Sequence, residues 1–241
     1  MSYLKLNDTA VIIESDGQTV LVCSEFDYNE LELTGTDSSI LPKNYITNYF
    51  GFTQGVENGY TAGGYVGSST RVNTIDKWPF ASNNDATDIA NLTNNKMGAT
   101  GTYSKTNGYV SGGFSEGGIN VANVIEKFPF ASDDDASDIA NLTLKRDKPA
   151  GQSSPTHGYT SGGAESPLSY LYISNIIDKF TFASDADATD VGDVTVAREE
   201  ASGQQSTSNG YTSGGGKGTP GSTYPSVDVI DKFSFASDGN A

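Results

Sequence analysis

The chain has 241 residues, enough for one large all-β domain or two ordinary ones. Its 14 Lys and Arg against 30 Asp and Glu leave a formal charge of -16, which repels phosphate backbones and sets nucleic-acid binding aside. Its 28 glycines, with 13 tyrosines and 11 phenylalanines, are the composition of many short strands joined by tight turns.

At the N-terminus, MSYLKLNDTAVIIESDGQ has no basic segment followed by an apolar one, and no apolar run approaches the roughly 20 residues of a membrane span. Synthesis in a cytoplasm, without membrane insertion, is the expectation. TAVIIESDGQTVLVCSEFDYNELELTG alternates, turns at Asp16-Gly17 and alternates again, which predicts a hairpin. Cys23 is the single cysteine, so a disulfide within the chain and a thiolate-rich metal site are both excluded. It reads as a small half-buried strand residue. Residues 1–40 hold eight acids and one lysine before Ile40, and they form a β element suited to docking or oligomerisation. LPKNY marks the boundary, and residues 41–241 form the second domain.

That domain repeats itself. NGYTAGG at Asn58 returns as NGYVSGG at Asn107, HGYTSGG at His157 and NGYTSGG at Asn209, at intervals of 49, 50 and 52 residues. After each double glycine come a variable stretch and then TIDKWPFAS from Thr74, VIEKFPFAS from Val124, IIDKFTFAS from Ile176 or VIDKFSFAS from Val229. An Asp-rich turn follows, then DIANLT, DIANLT or DVGDVT after the first three. Within IDKWPF, Ile75 and Lys77 point one way and Asp76, Trp78 and Phe80 the other, so apolar groups lie on both faces of a sheet sandwiched between neighbours. GYTSGG is a second short strand, and IANLT and the GQSS region supply two more. Four short strands in each unit of about 50 residues make a propeller blade.

From each aligned Ile to the next Gly-Tyr glycine is 33 residues every time, whereas the stretch after the double glycine runs 11, 12, 14 and 15 residues to the next Ile. All length variation therefore sits in one loop per unit, at residues 65–74, 114–124, 164–176 and 216–229. Such loops share one face of a propeller, where partner choice is expected. Tyr65, Arg71, Phe114, Tyr170, Tyr172 and Tyr224 are its candidate binding residues, since aromatics with small polar neighbours suit protein or sugar surfaces. The alternative is that these rings only cap the ends of the units.

The Gly-Gly pair after a Tyr-containing strand, the later aromatic strand and the basic residue before the next unit resemble the kelch repeat over residues 41–241. The kelch Trp is kept only at Trp78, being Phe128, Phe180 and Phe233 elsewhere. The wording IDKFPFASDxDATDIANLT…GYTSGG is also similar to repeats in virion structural proteins of marine tailed bacteriophages, especially cyanophages. The resemblance implies an all-β, kelch-like β-propeller of about four blades. It implies a non-enzymatic virion component, a capsid decoration or a tail or fibre protein, in a larger assembly with other virion proteins. A carbohydrate-binding module that recognises the host surface through a glycan is the alternative, and an intracellular kelch-like scaffold a further one. An elongated β-solenoid is the competing architecture.

Little chemistry accompanies this pattern. His157, the sole histidine, stands where other copies have Asn58, Asn107 and Asn209, a turn position. The histidine set and cysteine-linked tyrosine of kelch-type copper oxidases are beyond this composition, so no enzyme and no required cofactor are expected. Asp133, Asp135, Asp185 and Asp187 in SDDDASD and SDADATD offer clustered oxygens for calcium, but Asp also makes such turns unaided, and turn chemistry is preferred. Lys96, Arg146 and Arg198 each follow the aligned Ile by 21 residues, while Asp76, Glu126, Asp178 and Asp231 follow it by one. Opposite charges at fixed places predict ion pairs within or between units, important only where partly buried. Finally, the fourth unit stops at Ala241, so residues 44–58 are expected to pair with the C-terminal strands at 226–237 and close the ring. Thr47 stands where the recurring cation should, which leaves closure between subunits as the other course.

Overall fold

The computed structural model describes residues 11–15, 18–22, 57–66, 70–115, 120–165, 172–217 and 225–241. The chain divides into two compact units, Met1–Gly51 and Phe52–Ala241. In the first, Val11–Ser15 pairs antiparallel with Gln18–Val22, Ser15 lying opposite Gln18, as the alternation around Asp16-Gly17 predicts.

The second unit is all-β, with no helix among the described residues. Four antiparallel sheets follow one another along the chain, one per repeat, with strands in chain order. The second sheet comprises Thr100–Tyr103, Asn107–Ser111, Val124–Pro129 and Ser137–Asn141. The third comprises Ala150–Ser153, His157–Ser161, Ile176–Thr181 and Thr189–Asp193. The first shows the last three of these strands, Asn58–Val66, Thr70–Pro79 and Thr87–Asn91, and the fourth the first three, Ser202–Gln205, Asn209–Ser213 and Ile230–Ser234. The elements lie where the repeated wording places them, except that Asn58–Val66 and Thr70–Pro79 run on into residues 65–74, assigned above to a variable loop. Residues 44–56, on which closure within the chain was to rest, lie outside the described residues.

The double glycines have a local cause. Gly112 and Gly162 take φ of 69° and 66°, a left-handed conformation that disfavours side chains. A Cβ there would also meet the carbonyl oxygens of Arg146 and Arg198 at 2.4 and 2.5 Å. The strand must end sharply at the point where the next repeat crosses it.

Neighbouring sheets pack face to face through one recurring core. Ile75, Ala90 and Leu92 of the first sheet meet Val110, Phe128 and Ala136 of the second. Ile125, Ala140 and Leu142 meet Phe180 and Ala188, and Ile177 and Val194 meet Phe233. Tyr60 stacks on Phe130, Tyr109 on Phe182 and Tyr159 on Phe235, with ring centroids 4.7–4.8 Å apart. Each sheet thus has a trailing face of Tyr, Ile and Lys and a leading face of acid and two aromatics, the alternation expected of IDKWPF. Phe128, Phe180 and Phe233 are buried at equivalent places, whereas Trp78 stays partly exposed. Its ring lies over Gly59 as the phenylalanines lie over their glycines, but no sheet of the repeat series precedes it among the described residues.

The register of the third strand against the fourth shifts between Ile125 and Glu126, and again between Ile177 and Asp178. Such a bulge re-aims the side chain that follows it. The acid turns toward the preceding repeat and meets the recurring cation there. Lys96 pairs with Glu126, Arg146 with Asp178 and Arg198 with Asp231, all buried. The expected ion pairs therefore lie at the junctions between sheets.

Candidate functional site

Beside the last three variable stretches the same small backbone pattern recurs. Lys96–Met97, Phe114–Ser115 and Asn120–Val121 form a three-stranded antiparallel patch. Asp147, Ala164 and Ile173 make the equivalent bridges in the next repeat, and Glu199, Gly216 and Ser226 in the last. The described residues flanking those three stretches are thereby pinned at matching places.

The structure brings three of the six candidate residues together. Tyr65 stands opposite Arg71 on paired strands, and the Arg71 guanidinium lies 4.2 Å from the Phe114 ring centroid and 5.8 Å from that of Tyr65. Cations over ring faces are attracted by about 0.5–2 kcal/mol. Phe114 is only 9% exposed, so it supports Arg71 rather than presenting itself. Tyr65 and Tyr172 are 51% and 58% exposed and remain free to meet a partner. Tyr170 and Tyr224 lie outside the described residues.

A rim that sequence reasoning missed adjoins these patches. Gly98, Lys148 and Glu200 occupy equivalent places and all have positive φ, of 64°, 53° and 57°. Lys148 N donates to Gly98 O at 2.6 Å and Glu200 N to Lys148 O at 3.1 Å, linking three repeats in series. Lys148 Nζ lies 2.6 Å from Glu200 Oε1 and 3.7 Å from Glu199 Oε2. Asp147 is buried against Gly98, and its Oδ1 has no hydrogen-bond partner. Burial pushes its carboxyl up from 3.8 to about 6, with Lys148 opposing and Glu199 adding to the rise. Nothing in the repeat marks this position, since its equivalents are Met97 and Glu199.

The calcium candidates are engaged by neighbouring sheets. Asp133 receives Lys77 at 2.7 Å and Asp185 receives Lys127 at 2.5 Å. Asp135 accepts from Asn91 N and Nδ2 at 2.8 and 3.2 Å, and Asp187 accepts from Asn141 in the same way. Among the described residues no three His, Cys, Asp or Glu side chains are grouped to hold a metal ion. His157 sits in its turn with Nδ1 2.9 Å from Thr156 Oγ1, and burial lowers its pKa. A cavity of about 210 Å³ between the first and second sheets is walled by Tyr60, Thr61, Ala62, Thr102, Val110 and Phe128 among others. Its walls carry no carboxylate, histidine or cysteine, so they offer no nucleophile with a base beside it.

The threonines of the NLT and DVT wording are a second feature the sequence did not flag. Thr143 donates from N and Oγ1 to Asp178 at 3.0 and 2.7 Å, and Thr195 donates to Asp231 at 3.1 and 2.7 Å. Thr93 holds Glu126 in the same manner. Their signal was a threonine at constant spacing among the repeats, three residues after Ala90, Ala140 and Gly192.

Fold and site together define, among the described residues, an all-β repeat protein of serial antiparallel sheets. No protein-family model matches the chain, and no curated protein matches it. Its fold is shared with many solved structures. That of YjhT superposes with a TM-score of 0.59 at 13% sequence identity, over 77% of this chain and 64% of that one. At this identity the likeness is one of fold, and the chain spans under two thirds of YjhT's length.

Proposed function

We propose that the four sheets are consecutive blades of a kelch-like β-propeller that serves as a non-enzymatic structural component of a tailed phage particle. The strands Thr100–Tyr103, Ala150–Ser153 and Ser202–Gln205 are its inner strands, set side by side about the axis. A Cβ on Gly151 would lie 2.5 Å from Gly101 O and one on Gly203 2.1 Å from Gly151 O, the crowding expected where blades converge. The single observation that carries the functional reading is the contrast between junctions and loops. Every junction repeats the same stack and ion pair, while all variation in length falls in one stretch per repeat. A fixed frame with a changeable face suits a particle protein that must fit one neighbour or meet a changing surface. The particle itself is inferred from the wording of the repeats.

Mass spectrometry of purified phage particles tests this directly. Stoichiometric recovery of the chain from intact particles is the expected result, and its presence only in the soluble lysate would end the virion reading. The exposed rings of Tyr65 and Tyr172 favour a second reading, a face for host glycans, because exposed tyrosines stack on sugars as well as on proteins. Binding on a glycan array that disappears in a Tyr65→Ser, Tyr172→Ser double variant would establish it.

A further inference from the structure

We propose that the fourth sheet's trailing face receives the first sheet's leading face from a second copy of this chain. The argument comes from what the three internal junctions use and what the two ends leave over. Each internal junction stacks a tyrosine of one sheet on a phenylalanine of the next, in the pairs Tyr60–Phe130, Tyr109–Phe182 and Tyr159–Phe235. Four tyrosines and four phenylalanines belong to the series, so Tyr211 and Phe80 remain, and neither has a ring partner among the described residues.

The aliphatic series leaves the same two ends. Ile75, Ile125 and Ile177 are 0% exposed, each covered by the next sheet, whereas Ile230 is 71% exposed and Phe80 is 55% exposed. Charge follows suit. Lys77, Lys127 and Lys179 reach forward to Asp133, Asp185 and Asp238. Lys232 is exposed and has no such partner among the described residues, and the first sheet's equivalent turn, Asn83–Asn84–Asp85, is exposed as well.

One end therefore offers Tyr211, Ile230 and Lys232, and the other Phe80, Trp78 and the polar turn Asn83–Asn84–Asp85. These are the ring and aliphatic halves of a junction the chain builds three times, with Asn83 standing where Asp133, Asp185 and Asp238 receive their lysines. They are different surfaces, so they cannot satisfy one another in a two-fold dimer. Their union is head-to-tail, giving a closed ring where the rotation allows and an open array otherwise. This inference rests on the sheets alone and stands whichever partner the loop face takes.

The test uses the full chain in sedimentation velocity, with Ile230→Lys and Phe80→Lys made separately. Both residues are exposed, so circular dichroism should show native folding, and Ile230→Ser and Phe80→Ser replace any variant that does not fold. Wild type is expected to form species heavier than the monomer. Each variant alone should be monomeric, because every copy then lacks the same half of the junction. Mixed, the two should yield a one-to-one dimer and stop there, since only one intact junction exists between them. A wild type that stays monomeric would overturn the proposal, as closure by the chain's own N-terminal residues would produce. Single variants that assemble like wild type, or a mixture that stays monomeric, would overturn it equally.

Discussion

Phe180 shows how one side chain serves a junction. It is buried between Ile125, Ala140 and Leu142 of the preceding sheet, with its ring edge over Gly158. Phe180→Ala removes that ring and leaves a cavity, and a loss of about 3–5 kcal/mol in reversible denaturation is expected. A loss below about 1 kcal/mol would place the ring at the surface. Asp147 is the opposite case, a buried group that costs stability at neutral pH. Its folded pKa of about 6 exceeds the ordinary 3.8 because burial disfavours the charge. The folded state therefore holds the proton more tightly than the unfolded one, and the contribution present below about pH 4 is lost as pH rises through about 6. Asp147→Asn should raise stability by about 1–3 kcal/mol near pH 7.5 and change little near pH 4. Urea melts at the two pH values check this, and an equal effect at both would mean that the carboxyl does not titrate in this window.

Between elements, a single residue type joins two sheets at once. The carbonyl of Arg146 accepts from Gly113 N of the second sheet at 2.8 Å. Its guanidinium donates into the third sheet, to Ile176 O at 2.9 Å, to Gly162 O at 3.2 Å and to the Asp178 carboxylate. Arg198 does the same one repeat later, through Gly163 N, Val229 O and Asp231. Arg146→Met would strand the buried Asp178 charge and should cost about 3–5 kcal/mol. Lys127→Ala removes a solvent-exposed pair with Asp185 and should cost under about 1 kcal/mol. Thermal or urea melts of the two variants decide this, and equal losses would contradict the division between inner and outer pairs.

For the molecule as a whole, the acidic turns act as ties between successive sheets, Asp133 and Asp185 answered by a lysine and Asp135 and Asp187 by an asparagine of the neighbour. The cohesion of the sheets is therefore expected not to depend on a bound cation. Dialysis against a chelator should leave the melting temperature within error of that in millimolar calcium. A drop of several degrees on chelation would return Asp133, Asp135, Asp185 and Asp187 to the role of ligands.

Much of this architecture is legible in the residues, because a unit repeated four times turns distant contacts into a visible pattern. The alternation of IDKFPF places Ile and Lys on one face and the acid and aromatics on the other, as the strands have them. The spacing of Arg146 and Asp178 announces a pair, and repetition guarantees that such a pair recurs. What the letters could not carry is environment. Asp147 resembles any surface aspartate until the crossing at Gly98 buries it, and Phe114 resembles a displayed ring until Arg71 covers it. Ile177 and Ile230 stand in nearly the same words, IIDKFTFAS and VIDKFSFAS, yet one is wholly buried and the other largely exposed. Local sequence determines which face a side chain takes. Only the tertiary structure decides whether another sheet lies against that face, because burial is a property of the neighbour and not of the strand.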